Sequence, residues 1–237
     1  MDRRTRKDLK TDKFAQEVGH TVEFLSEHRG QTLRYTLIGL AVVVIGIGIY
    51  AYNRHQAGLR ADAFTNVMRI NEAIVSPTPN PPNLTFPTQE EKDKAKLQAL
   101  LDLAAKYHGS QEGAMAQFFL AGIQLEKDKL DEAEKIYKDV MDSAPSPYAS
   151  VAKLSLAQIY AGQGRTAEAE KLLRELMSSP TIFVSKEQAA LTLAGMLSKT
   201  NPADAKKLVD PLRQSTRPTI SRAAITASAD IPQTPGN

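Results

Sequence analysis

The chain has 237 residues, enough for one or two domains, and its 24% charged and 6% aromatic residues are typical of a soluble protein. It contains no Cys, which excludes disulfides, thiolate metal sites and a lipid-modified cysteine. The net charge of +3 is uneven: residues 1–34 carry eight Lys/Arg against six Asp/Glu, whereas residues 54–237 carry 22 against 21. A nearly neutral C-terminal region lacks the basic surface of a nucleic-acid-binding domain, so no nucleic-acid partner is expected.

The first 34 residues form a basic tail, in which six Lys/Arg precede Phe14. Apolar residues recur there at three- and four-residue spacing, which predicts a helix with one narrow apolar stripe (Phe14, Val18, Val22 and Leu25). Two interpretations stay open. The helix lies on a membrane surface, helped by the basic residues, or it leads into the next segment without a partner.

Residues 35–53 contain no charged side chain and allow three interpretations. A dinucleotide-binding loop would use Gly46, Gly48 and Ala51, but it requires a following helix and a second strand that ends in an acidic residue, and no second strand-like run follows. A cleaved signal peptide would have a short basic segment first, whereas 34 residues precede this stretch. The third interpretation, a membrane-spanning helix, is the one that the sequence favours.

A helix of about 20 apolar residues covers the hydrocarbon core of a bilayer, about 30 Å thick. Tyr35, Tyr50 and Tyr52 lie at the ends of the segment, where aromatic rings suit the interface, and Arg34 and Arg54 flank it. Membrane lipid is therefore an expected partner. Because short basic tails stay in the cytoplasm and long following domains cross regardless of charge, we predict a cytoplasmic N-terminus and an outer C-terminal domain.

Residues 54–111 are predicted to form a linker and a divergent first helical hairpin, with helices over 56–74 and 90–110. Between them, the insert 75–89 contains five prolines and is expected to have no regular structure. At the other end of the chain, residues 217–237 are rich in Ser, Thr and Pro without periodicity, and they are predicted to be a disordered tail.

Residues 112–216 contain an internal repeat. The segments 116–141 and 152–177 align without a gap at a period of 36 residues, and a third copy, 190–212, aligns with one residue lost in the turn. Each copy predicts two amphipathic helices that bury their apolar stripes only by stacking on neighbouring copies. One equivalent position holds alanine in all three copies, where the two helices of a hairpin are expected to pack closely: Ala133, Ala169 and Ala205. A bulky residue at this position should lower the free energy of unfolding by about 1–3 kcal/mol through overpacking.

The pattern Leu156-Ala157-x-x-Tyr160, a turn with Gly164 and then Ala169 resembles the tetratricopeptide repeat, and the preceding copy matches it at Leu120, Ala121, Ala133, Tyr137 and Pro145. The period is 36 rather than 34 residues, and no Trp is present near the repeat starts. The resemblance implies an α-solenoid of helical hairpins. Together with the predicted transmembrane helix, this gives an all-α chain in which a single transmembrane helix precedes the α-solenoid.

A second resemblance rests on the order of the segments: a basic tail, one span and an outer domain with "LLDLAAKYHGSQEGAMAQFFLA" near its start. This order is similar to the ancillary Sec-translocon subunit family of the bacterial inner membrane. It implies a single-pass protein with a periplasmic repeat domain, and partners among translocon subunits, periplasmic chaperones or nascent clients. A scaffold for envelope assembly or division is the alternative, and an enzyme subunit is a further one.

No motif in the sequence indicates catalysis, a cofactor or a metal, so a non-enzyme is predicted. The four histidines form no i,i+4 pair, and the acidic residues between Glu126 and Glu134 lack the glycine and ligand spacing of a calcium loop. No nucleophile-elbow or phosphate-binding motif is present.

Protein binding is the expected use of the fold, because solenoids present extended concave surfaces. The family resemblance implies that the first helix of each hairpin lines this surface. The candidate groove residues are then Met115, Phe118, Gly122, Val151, Leu154 and Gln158. A groove of this composition should favour apolar or helical peptides, with Met115 and Phe118 supplying contact area.

Overall fold

The computed structural model describes residues 29–232, which form nine helices and one pair of two-residue strands. In chain order these are α1 (Arg29–Glu72), β1 (Ile74–Val75), β2 (Thr85–Phe86), α2 (Gln89–Lys106), α3 (Gln111–Glu126), α4 (Leu130–Ser143), α5 (Ser146–Gly162), α6 (Thr166–Ser178), α7 (Lys186–Leu197), α8 (Pro202–Arg213) and α9 (Pro218–Ala229). The chain divides into two compact units, Met1–Leu59 and Arg60–Asn237.

The described part of the first unit is the N-terminal portion of α1. Its apolar side chains are largely exposed, and the stretch Leu33–Glu72 contains a segment long and apolar enough to cross a membrane, none of which is buried. Exposed side chains such as Ile47, at 63%, cannot be the core of a soluble domain. The predicted helix in the preceding tail lies outside the described residues.

The second unit is an α-solenoid, as predicted. Each helix from α2 to α9 packs on its neighbour in the sequence, and α3 also contacts α5. The hairpins α3–α4, α5–α6 and α7–α8 correspond to the three sequence repeats. The described chain is therefore all-α apart from the two short strands.

Local sequence explains where these helices begin. The side chains of Thr88, Ser110, Ser185 and Asn201 each accept a hydrogen bond from the backbone N–H three residues later, which caps α2, α3, α7 and α8. Pro202 follows Asn201 at the first helical position, where its missing N–H is not needed.

The turns within the first two repeats share one geometry. Asp128 and Gly164 are 36 residues apart, and both have positive φ, +57° and +75°. The following backbone N–H groups, of Lys129 and Arg165, each donate to a carbonyl five residues earlier. The repeat period is thus preserved at the level of single hydrogen bonds, and Gly164 suits its position because it has no Cβ.

The core of the second unit consists of two clusters. The larger one runs through α3–α9 and the smaller one joins Val67 of α1 with Leu100, Leu103, Ala116 and Leu120 of α2 and α3. In the larger cluster the three repeat-equivalent alanines Ala133, Ala169 and Ala205 are fully buried, as expected for close helix contacts.

The structure corrects two predictions about irregular segments. The Pro-rich insert has regular structure at its base, where β1 and β2 pair in parallel, because the prolines fall outside the two strands. The tail is not disordered over residues 218–229: α9 begins with Pro218 at its first turn and buries Ala224. A small side chain sufficed to pack this helix, which is why its weak apolar pattern gave no signal.

Candidate protein-binding groove

An apolar groove of about 560 Å³ lies in the second unit. Its floor and one wall come from α3, which contributes Met115, Phe118, Phe119, Gly122 and Ile123. Phe118 is half-buried and packs on Tyr137 of α4, with ring centroids 5.5 Å apart. Phe119 is 41% exposed. Of the two adjacent phenylalanines, Phe118 therefore packs against α4 and Phe119 faces solvent.

The opposite wall comes from α5 and from the turn that follows α6. Tyr148 and Val151 of α5 line the groove, and Phe183 stands edge-on to Tyr148, with centroids 5.1 Å apart. The hydroxyl of Thr181 holds the turn by accepting from the backbone N–H groups of Phe183 and Val184. This arrangement fixes an aromatic ring at the mouth of the groove.

Two charged residues border the groove. Lys96 of α2 is half-buried, with its Nζ 6.0 Å from the centroid of the Phe119 ring, and Glu126 is the exposed last residue of α3. Within residues 29–232, neither side chain has an oppositely charged group within 4 Å. The groove therefore combines an apolar interior with unpaired charges at its edge.

Four of the six predicted groove residues line the same groove: Met115, Phe118, Gly122 and Val151. Leu154 is instead part of the core, only 8% exposed. Gln158 is exposed and lines a different depression with Ser155 and Gly162, because it lies about two helical turns beyond Val151 along α5. Seven lining residues were not predicted from the sequence. Four lie outside the aligned repeat copies, so no repeat register indicates them: Phe64, Lys96, Tyr148 and Phe183. The other three lie in α3 beside predicted residues: Phe119, Ile123 and Glu126.

Polar groups elsewhere form structural contacts. Arg165 makes two hydrogen bonds to the carboxylate of Glu168, another to Glu134, and stacks 3.8 Å from the Tyr160 ring centroid. His108 and Gln117 both contact the carboxylate of Asp139, which ties α3 to α4. Nothing in residues 29–232 points to catalysis, and no three His, Asp or Glu side chains there converge as a metal site would require.

The ion pairs of Glu134 with Lys138 and Arg165 predict that the stability of the fold is sensitive to acid. Burial raises the pKa of Glu134, but hydrogen bonds from Lys138 and Arg165 outweigh this effect and hold the pKa below its usual 4.5. The contacts therefore stabilise the folded state fully above pH 4.5, and this stabilisation is lost as pH falls through the lower folded-state pKa. We expect the free energy of unfolding to decline below pH 4.5, and Glu134→Gln to reduce that decline.

Thermal unfolding between pH 3 and 7 would measure this effect. Asp142→Asn is a suitable control, because no ion pair is found for Asp142 within the described residues. Equal acid sensitivity of Glu134→Gln and the unmodified protein would contradict the prediction.

The fold and the groove together define a helical-repeat protein with an interaction surface. A family model for the tetratricopeptide repeat-like domain matches residues 26–208, which is most of the chain. The chain therefore belongs to the tetratricopeptide repeat-like family. No curated protein and no solved structure matches it.

Proposed function

We propose that this protein is a single-pass membrane protein whose repeat domain docks other proteins. The observation that carries the proposal is the apolar groove, because exposed aromatic and Met side chains are characteristic of protein interfaces. The family membership supports the same function, since such domains generally bind proteins. The exposed apolar part of α1 supports anchoring in lipid through residues 35–53.

The proposed location is the bacterial inner membrane, with a cytoplasmic N-terminus and a periplasmic repeat domain. The basic tail supports this orientation, because short Lys/Arg-rich segments stay in the cytoplasm. In this location the protein would serve the Sec translocon and hand clients to chaperones, with translocon subunits, periplasmic chaperones or nascent clients as partners. Scaffolding of envelope assembly or division is the alternative, and a role as an enzyme subunit has less support.

Affinity capture from detergent-solubilised membranes tests the proposed partners. We expect translocon subunits to be enriched with the unmodified protein and to be lost with Phe118→Glu, because a buried charge disrupts an apolar interface. Since Phe118 also packs on Tyr137, the more exposed Phe119→Glu separates loss of binding from loss of folding. Leu101→Glu is the control, as Leu101 is 46% exposed and does not line the groove.

Capture of envelope or division proteins without translocon subunits would favour the alternative. Retention of translocon subunits by both phenylalanine variants would move the contact from the groove to the span or the tail.

Thiol labelling tests the orientation, because the chain has no native Cys. Ser146→Cys places a thiol on the exposed first residue of α5, and Ser26→Cys places one in the tail. We expect a membrane-impermeant reagent to label the first but not the second in spheroplasts. The reverse pattern would make the repeat domain cytoplasmic.

A further inference from the structure

We infer that the groove receives the apolar face of an amphipathic partner helix, with a large side chain seated over Gly122 and a carboxylate paired with Lys96. This inference rests on the proposed function and specifies the chemistry of the partner segment. Three features of the groove support it: an unexplained glycine, an unpaired cation and a preformed apolar turn.

Gly122 lies in the interior of α3, where glycine costs about 1 kcal/mol relative to alanine. No internal contact requires this glycine: its φ is not positive, and an added Cβ would meet no atom within 4 Å. The residue lines the groove, so its missing side chain leaves space at the floor. That space fits a large apolar side chain entering from outside.

Lys96 supplies a complementary charge. Its ammonium lies beside the Phe119 ring and has no carboxylate within ion-pair distance among the described residues. By contrast, the other two half-buried lysines of the domain have partners, since Lys92 donates to the Ala73 carbonyl and Lys153 pairs with Glu175. A half-buried, unpaired cation at an apolar edge favours an acidic residue on the partner. Glu126 is exposed and stays hydrated, so it discriminates less strongly between partner residues of opposite charge.

The turn after α6 supplies a rigid apolar contact. Ile182 is 85% exposed, although its neighbour Val184 is fully buried and anchors the turn. The Thr181 hydroxyl also bonds to that of Ser150, and the Thr181 N–H donates to the Val184 carbonyl. Because these bonds order the turn before binding, little conformational entropy remains to be lost when a partner packs on Ile182 and Phe183.

The composition of the groove favours a protein segment. Four of the seven Phe and one of the seven Tyr in the chain line the groove, together with Met115. These residue types are enriched at protein interfaces. An amphipathic helix places apolar residues in such a groove and keeps its polar face in water. The charges at the edge then meet the border between the two faces of the partner.

Two synthetic peptides test the inference. Both have blocked ends and about 14 residues, or about four helical turns, with a stripe of leucines; one carries Glu and the other Lys beside the stripe. Against the full-length protein in nanodiscs, we expect the Glu peptide to bind about fivefold more tightly by fluorescence anisotropy. Lys96→Glu should reverse this preference.

Gly122→Leu should lower the binding affinity for both peptides by about tenfold or more, because the leucine fills the space that a side chain of the peptide would occupy. Gly195→Leu is the matched control: Gly195 is exposed in α7, also has no atom near an added Cβ, and lies outside the groove. This control should leave peptide binding unchanged. A folded Gly122→Leu variant that binds normally would overturn the inference, as would a peptide preference that Lys96→Glu does not change.

Other occupants give distinct results that also overturn the inference. If neither peptide binds but a fluorescent fatty acid does, and Gly122→Leu abolishes its binding, the groove holds an amphiphile. If Gly122→Leu instead abolishes concentration-dependent dimerisation in sedimentation, the occupant is a second copy. Either result leaves the capture experiment unaffected. If translocon subunits are still captured by the unmodified protein and lost with Phe119→Glu, the proposed function stands although this inference fails.

Discussion

Gly113→Ala is expected to lower the free energy of unfolding of the repeat domain by about 2–3 kcal/mol, although alanine is the better helix former. Gly113 lies in the first turn of α3, and an added Cβ would overlap the Tyr107 carbonyl oxygen and come within 2.8 Å of its carbon. Both atoms belong to the backbone, so neither can move away as a side chain would. The loop between α2 and α3 must therefore shift.

Gly122→Ala in the same helix provides the matched comparison. Its added methyl group meets open space, so the better helix propensity should raise the free energy of unfolding by up to about 1 kcal/mol. Thermal and urea unfolding of the full-length protein in detergent, followed by circular dichroism, would measure both changes. Equal effects of the two substitutions would show that the close approach of Tyr107 to α3 is wrong.

Leu156→Ala should destabilise the repeat domain by about 2–5 kcal/mol, the usual range for truncating a buried leucine. Leu156 is fully buried in α5 and belongs to the larger core cluster, which joins successive hairpins. The cavity left by this change lies within the stacked array, where neighbouring helices can collapse only partly. The same unfolding measurements would detect the loss.

Leu130→Ala is the control for Leu156→Ala. Leu130 is the first residue of α4 and is 38% exposed, so its truncation should cost less than about 1 kcal/mol. If both substitutions cost the same, the hairpins do not share the core described here. A smaller loss at Leu156 than at Leu130 would contradict the prediction more strongly.

The repeat architecture was predictable because its signal is local and periodic. The 36-residue period located α3 to α6 and their turns, and it anticipated the buried alanines at Ala133, Ala169 and Ala205. A third, shorter copy was enough to place α7 and α8. These features depend on helix periodicity and small residues at close contacts, which a sequence shows directly.

The groove was only partly predictable, because its lining is assembled from distant segments. Phe64 precedes the repeats and Phe183 lies in a turn, so no repeat register pointed to either residue. Leu154 was assigned to the groove although it packs in the core. A shift of one residue in the helical register of α5 is enough to move a side chain from the groove face to the core face. Lys96 became notable only once the structure showed no carboxylate within ion-pair distance of it among the described residues.

The last helix also affects how copies of this protein can meet. α9 packs on α8 and α7 at the C-terminal end of the array, and it buries Ala224 and the nearby Ile231. A stacked array whose last hairpin is uncovered exposes an apolar face, and head-to-tail contacts through such faces build rings or open filaments. α9 therefore acts as a capping helix for the described array, because it covers apolar faces of α7 and α8 that would otherwise be open to another copy.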